Sequence, residues 1–225
     1  MLARSFRNPW TIALATLATG FIAGLLLYPQ ARTLKHHLNT FVRGHGALYG
    51  PYDVALVGDS IAWSGRWQRL CPGRAFANYA EGGKSALLIK LRLPEFQNTS
   101  ARRVFMLMGL SDAWQGRTAD AIAADFRSIA ETMKTGGREV TIVSVLLPNL
   151  EMRTRFLPDR PFDRAVIDAL NARLPAVARE IGARFADVNS VLAPRGELLA
   201  DFTYDGVHLT DEAYAVLART IGICG

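Results

Sequence analysis

From residue 51 onward the chain alternates short apolar runs with longer amphipathic segments. The runs Asp53–Val57, Phe76–Tyr79, Val104–Met108, Val140–Leu146 and Arg184–Val188 are too short for stable helices, and each predicts a buried strand. Apolar positions recur at helical spacing over Ala119–Lys134, closed by Gly136 and Gly137, and over Asp163–Ile181, closed by Gly182. Pro175 is expected to kink or divide the second of these. A last helix is expected over Asp211–Ile221, with Thr210 as its N-cap and Asp211 and Glu212 favourable in its first turn. Strands alternating with helices imply an α/β domain over residues 51–225, built as a three-layer sandwich around a mainly parallel central sheet. Such sheets place their sites beyond the carboxyl ends of the strands.

The first fifty residues follow a different pattern. No charged side chain occurs from Asn8 to Ala31, and Trp10 to Tyr28 is an unbroken stretch of 19 residues dominated by Ile, Ala, Leu, Phe, Gly and Thr. At about 1.5 Å per residue it spans roughly 28 Å, close to the hydrocarbon thickness of a bilayer. Trp10 and Tyr28 stand at its ends, where amphipathic rings favour the headgroup level. The stretch is long for the apolar part of a signal peptide, and Tyr28-Pro29-Gln30-Ala31 is a poor cleavage site, so an uncleaved transmembrane anchor is expected. The chain then divides into a tail (1–9), an anchor (10–28), a juxtamembrane linker (29–50) and the domain (51–225). His36, His37 and His45 in the linker read as part of a solvated stalk rather than a metal site. Flanking charges are nearly even on the two sides. A short tail before a long domain fits a single-pass signal-anchor in the inner membrane, with the domain on the periplasmic or extracytoplasmic side.

Composition narrows the partners. The 225 residues carry 50% hydrophobic residues, enough for one folded domain plus an appendage and incompatible with a disordered polymer. The net charge of +6 is dispersed among acidic residues with no basic block, so no nucleic-acid partner is expected. Cys71 and Cys224 are too few and too far apart for a zinc ribbon or a redox CxxC, and no metal or cofactor is expected. The two either pair in an exported protein or remain as buried free thiols.

Candidate chemistry sits in the loops that follow the strands. Gly58-Asp59-Ser60 follows the first strand as a tight turn, in which Ser60 can project at the start of a helix. Alone, the same tripeptide reads first as an Asp/Ser helix cap following a strand. Asn78-Tyr79-Ala80-Glu81-Gly82-Gly83-Lys84-Ser85 follows the second strand, with glycines that let a backbone N–H approach a bound oxygen. Gly109-Leu110-Ser111-Asp112 follows the third, and Asp205-Gly206-Val207-His208 precedes the last helix, with a carboxylate three residues before a histidine.

These four blocks, in this order, resemble the SGNH (GDSL-type) hydrolase family over residues 52–224. The resemblance implies its flavodoxin-like sandwich and a serine esterase that works through an acyl-serine intermediate. Ser60 is then the nucleophile, His208 its base and Asp205 the carboxylate that fixes the imidazole tautomer. The oxyanion hole falls to the N–H groups of Ser60 and Gly83 and to Ser111, which stands where the family has an asparagine amide. Ala80 replaces a glycine common in the family. Asp59 and Asp112 read as turn-stabilising acceptors. Membrane anchorage resembles members that trim or install acetyl groups on envelope polysaccharides. The leading expectation is therefore hydrolysis of small acyl esters, O-acetyl above all, on carbohydrate. The alternatives are an O-acyltransferase using the same triad and a non-catalytic binding protein that keeps the fold. Trp63 and Trp114 are candidate sugar platforms, as is Trp67, although Trp63 and Trp67 are one helical turn apart and fit core packing as well. Arg153 and Arg155, in a segment after the fourth strand, are candidate substrate-binding residues or ordinary surface charges.

Overall fold

A computed structural model describes residues 34–36, 38–39, 41–42, 45–47, 50–156 and 162–225. The expected anchor at 10–28 and the tail before it lie outside these residues. Among the described residues no helix is long and apolar enough to cross a membrane.

Five parallel strands form the centre: β1 (Val54–Gly58), β2 (Phe76–Asn78), β3 (Arg103–Leu107), β4 (Glu139–Val143) and β5 (Arg184–Ala186), in the order β2-β1-β3-β4-β5. Each expected run yields one strand. The register places Leu56 opposite Asn78 and Gly58 opposite Leu107, so the carboxyl ends of β1, β2 and β3 finish side by side. Side chains alternate between two faces. Ala55, Val57, Val104 and Met106 enter one apolar core, and Val54, Leu56, Phe105 and Leu107 enter the other. The first core is closed by the helices Ala119–Lys134 and Arg164–Glu180. The second is closed by α1 (Ser60–Ser64) and by the helix Asp211–Ile221. A parallel sheet covered on both faces explains why the runs read as continuously apolar rather than alternating.

Three expectations are corrected in detail. The fourth strand stops at Val143 rather than Leu146: Ser144 N–H still donates to the Ala186 carbonyl at 2.9 Å, but the N–H and carbonyl of Val145 turn to the Asn171 side chain. The helix Arg164–Glu180 is neither ended nor divided at Pro175, which sits within it. Leu174, Val177 and Ala178 around the proline are buried, and their packing outweighs one missing backbone bond. The domain also begins before residue 51. Ala47 N–H donates to the Phe76 carbonyl at 2.8 Å. His45 is 7% exposed, with its ring edge-on to Trp63 at 5.2 Å, and so is no part of a solvated stalk.

Cys71 and Cys224 are joined as a disulfide, with Cα atoms 5.1 Å apart across a sequence separation of 153. Cys71 precedes β2 and Cys224 follows the last helix, so the bridge closes the domain at the opposite end of the strands from the loops described next.

Candidate active site

The turn after β1 is shaped by crowding. A Cβ on Gly58 would lie 1.9 Å from the Leu107 carbonyl oxygen and 2.7 Å from Ala62 Cβ, so only glycine lets β1 end this close to β3. Asp59 N–H donates to that same carbonyl at 3.1 Å, and the Asp59 carboxylate caps α1 by accepting from Ile61 N–H at 3.0 Å. Ser60 therefore leaves the sheet at the first position of α1 with its hydroxyl turned outward. Tyr214, on the last helix, donates its hydroxyl to the Ile61 carbonyl at 2.8 Å and ties α1 to the element that follows His208.

That hydroxyl meets the loop 203–209. Ser60 Oγ lies 3.1 Å from His208 Nε2, and His208 Nδ1 lies 2.6 Å from Asp205 Oδ2. The other carboxylate oxygen, Oδ1, accepts from the N–H groups of His208 at 2.7 Å and Val207 at 2.9 Å. Three residues of spacing thus fold into a turn that closes on itself. Gly206 makes the turn possible, with φ +86° and a Cβ position only 2.4 Å from Arg153 N. Its carbonyl accepts from Asn149 N–H at 2.8 Å, and its N–H donates to the buried Thr203 hydroxyl at 2.9 Å.

The electrostatics follow from these bonds. The hydrogen bond to Asp205 raises the pKa of His208 above the ordinary histidine value, outweighing burial, and negative charge on Asp205 and Asp59 acts in the same direction. Burial works to raise Asp205, but the donors from His208 and Val207 prevail and hold it below the usual carboxylate range. Burial also pushes Asp59 up to about 7, against the hydrogen bond from Ile61 and with Asp112 adding to the rise. A hydroxyl, an imidazole and a carboxylate in this line can pass a proton from oxygen to nitrogen and stabilise the imidazolium that results. Such a base works only when neutral. The activity, measured as kcat/KM against pH on a small aryl ester, is therefore expected to rise with pH through a midpoint above about 6.5, the ordinary histidine value. A midpoint at or below that value would contradict the upward shift of His208.

On the other side of Ser60 lie the glycine turn and the third loop. Gly82 passes the nucleophile so closely that a Cβ on it would stand 3.8 Å from Ser60 Cβ, and Gly83 adopts φ +73°. Glu81 N–H donates to the Gly58 carbonyl at 3.0 Å, pinning this turn to the nucleophile turn. The fully buried Asn78 donates to the Ala62 carbonyl at 3.2 Å and accepts from Ala80 N–H at 3.1 Å. Asp112 is 0% exposed and receives Ala86 N–H on both oxygens, at 2.9 and 3.1 Å, three residues after Gly83. Arg117 bridges Asp112 and Asp125 at 2.6 Å each, and Lys90 pairs with Asp125. Asp59 and Asp112 are thus acceptors that hold loops, as the sequence indicates. Asn78 and Gly206, inside two of the four blocks, and Arg117 and Asp125, outside them, carry equal weight in holding these loops. Their hydrogen bonds and ion pairs in the fold reveal these roles.

Around Ser60 and His208 opens a cleft of about 710 Å³. Gly83, Ser111, Trp63 and Trp114 line it, as read from the sequence, and Gln115 and Tyr204 join them unforeseen. Trp67 does not: it is fully buried and donates its indole N–H to the Ala62 carbonyl at 2.7 Å, so core packing accounts for it. Arg153 and Arg155 do not line the cleft either. Arg153 is 6% exposed and lies behind it, its guanidinium 5.9 Å from the Trp114 ring and 5.4 Å from that of Phe162. Flat, delocalised charge packs well on aromatic faces, and burial there removes Arg153 from the surface. Arg155 is exposed on the same helix, Leu150–Phe156.

The family model of the GDSL-like lipases and acylhydrolases matches residues 48–216, well over half of the chain. A solved structure from Streptococcus pneumonia named for platelet activating factor has the same fold, with a TM-score of 0.72, 19% identity and coverage of 92% of this chain and 98% of that one. A carbohydrate esterase family 3 structure from Talaromyces cellulolyticus superposes with a TM-score of 0.57 at 18% identity, covering 76% of this chain and 95% of its own. Among curated proteins, an N-acylneuraminate cytidylyltransferase of Streptococcus agalactiae serotype V is 22% identical over 197 residues, which is 87% of this chain and 44% of that protein. The chain thus spans less than half the length of this relative.

Proposed function

Because the chain belongs to the GDSL-like lipase/acylhydrolase family of ester-hydrolysing enzymes, we propose that it removes small acyl groups, chiefly O-acetyl, from carbohydrate through an acyl-serine intermediate. The observation that carries the reading is the continuous hydrogen-bonded line from Ser60 through His208 to Asp205. Ser60 Oγ attacks the ester carbonyl as His208 Nε2 takes its proton, and Asp205 holds the imidazole in the tautomer whose Nε2 is free to accept. The tetrahedral oxygen is met by the N–H groups of Ser60 and Gly83 and by the Ser111 hydroxyl. His208 then returns the proton to the leaving alcohol, and water repeats the sequence on the acyl-enzyme. Support for carbohydrate comes from the aromatic side chains of the cleft, from the carbohydrate esterase of like fold, and from the sugar acid in the name of the curated relative.

We place the domain outside the cytoplasmic membrane, held by residues 10–28. The uncharged run supports this, as does the Cys71–Cys224 bridge, since disulfides persist in oxidising compartments. Protease added to intact spheroplasts should digest the domain, and digestion only after lysis would overturn the placement.

The function is tested by incubating the full chain with O-acetylated oligosaccharide and following free acetate and acylated sugar together. Release of acetate at the rate of deacetylation supports hydrolysis. Acyl groups recovered mainly on an added sugar acceptor would reassign the enzyme as a transferase, and no reaction would reject the substrate class. Ser111 is tested in the same assay. Ser111→Ala is expected to lower kcat about tenfold with little change in KM, because the lost bond matters in the transition state. A fully engaged donor is worth about 10²–10³ in rate, and a hydroxyl reaches less far than the carboxamide it replaces. An unchanged kcat would leave the oxyanion to backbone groups alone.

A further inference from the structure

The two halves of an ester must lie on different sides of Ser60 in this cleft. The carbonyl oxygen points to Gly83 and Ser111. The alcohol oxygen must come within hydrogen-bonding reach of His208 Nε2, because that nitrogen supplies the proton with which the alcohol leaves. Whatever is bonded to the alcohol oxygen therefore lies on the His208 wall of the cleft. That wall carries Tyr204, four residues before His208 in the same loop. The two rings are nearly parallel, at 16°, with centroids 6.1 Å apart. At that separation they are offset rather than superposed. Tyr204 is 58% exposed, more than a ring held only for packing requires, and it borders the cleft.

The remaining lining bears on the alcohol. Trp63, Trp114 and Tyr204 supply aromatic side chains, Ser64 and Gln115 supply hydrogen-bonding groups, and among the described residues that line the cleft none is Leu, Ile, Val or Met. A lipid tail is matched by aliphatic walls. Aromatic side chains together with polar groups match a polyol ring, whose C–H face stacks on an aromatic while its hydroxyls find partners at the edge.

Resting on the reading of the chain as a carbohydrate esterase, we propose that Tyr204 is the platform of the alcohol subsite and receives a pyranose face of the leaving sugar. The same position governs what happens to the acyl-enzyme. A sugar seated on Tyr204 presents a hydroxyl to His208 Nε2, which takes its proton as the sugar oxygen attacks the acyl carbon; Ser60 Oγ then leaves and recovers that proton from His208. With the subsite empty, water takes the same place and the products are acid and free serine. Tyr204 thus sets both the preference for sugar esters and the share of acyl groups returned to sugar.

The test compares kcat/KM for methyl 6-O-acetyl-α-D-glucopyranoside, ethyl acetate and octyl acetate in the full chain and its variants. The parent should prefer the sugar ester to both others. In Tyr204→Ala the ratio of sugar ester to ethyl acetate should fall about tenfold, and Tyr204→Phe should keep it, since the ring face rather than the hydroxyl makes the platform. Ratios within one protein cancel any loss of folded enzyme. A parent that prefers octyl acetate, or shows no preference, overturns the carbohydrate reading and the subsite with it. A parent that prefers the sugar ester while Tyr204→Ala keeps the full preference overturns the subsite alone. A fall in Tyr204→Phe as deep as in Tyr204→Ala also overturns it.

Discussion

Ser60→Ala is expected to abolish ester turnover, with a loss of at least about 10⁴-fold in kcat/KM and no loss of fold. The substitution removes one oxygen from a half-buried position and leaves Cβ in place, so no core cavity opens and the cap from Asp59 to Ile61 N–H persists. The bond it deletes is the 3.1 Å contact to His208 Nε2, without which the imidazole has no nucleophile to activate. His208→Ala should fall nearly as far, because serine then has no base. Asp205→Asn should also be severe, since an amide at 2.6 Å from Nδ1 can donate to it and select the tautomer whose Nε2 carries the proton. Steady-state rates on an aryl ester, with thermal melts to check folding, decide the matter. Full activity in Ser60→Ala would refute serine chemistry.

Opening the Cys71–Cys224 bridge is expected to cost about 3–5 kcal/mol of stability while the site keeps its geometry. The bridge encloses a sequence separation of 153, nearly the whole domain, so its removal frees a long loop in the unfolded chain. Folded-state contacts remain near it. Arg103 donates to the Ile223 carbonyl at 3.2 Å and Arg74 to that of Cys224 at 3.3 Å. The strands separate the bridge from Ser60, and a Cys71→Ala/Cys224→Ala variant that is still folded should turn over substrate at the parental rate. Urea titration with and without reductant measures the effect. An unchanged midpoint, with two thiols titratable in the denatured protein as purified, would contradict it.

The parts of this account legible in the sequence share one property: their signals are local. Five short apolar runs become five strands because both faces of a parallel sheet are buried, so each strand is apolar along its length. Gly58-Asp59-Ser60 and Asp205-x-x-His208 are likewise complete motifs, each closing its own hydrogen bonds within three residues. Local signals misled where a long-range contact decided. The apolar run after Val143 continues to Leu146, but the ladder ends where the Val145 backbone finds the Asn171 side chain, over 20 residues away. Pro175 reads as a break and is carried through by packing. Arg153 reads as a substrate-binding residue or a surface charge, and lies instead against Trp114 and Phe162. The bridge of Arg117 to Asp112 and Asp125 fixes the approach to Gly83, yet nothing in the spacing distinguishes Arg117 from the other arginines. Tyr204 has no motif of its own. Its place follows from the turn that brings His208 to Ser60.

The central claim, an acyl-serine route through Ser60, is tested most directly by covalent trapping. An aryl alkylphosphonate ester mimics the tetrahedral intermediate and leaves its phosphonyl group on an activated serine. Mass spectrometry of the digested protein should place one phosphonyl group per chain on the peptide containing Ser60, with no label in His208→Ala over the same interval. A label on another residue, or a parent that remains unlabelled while still hydrolysing ester, would contradict the account.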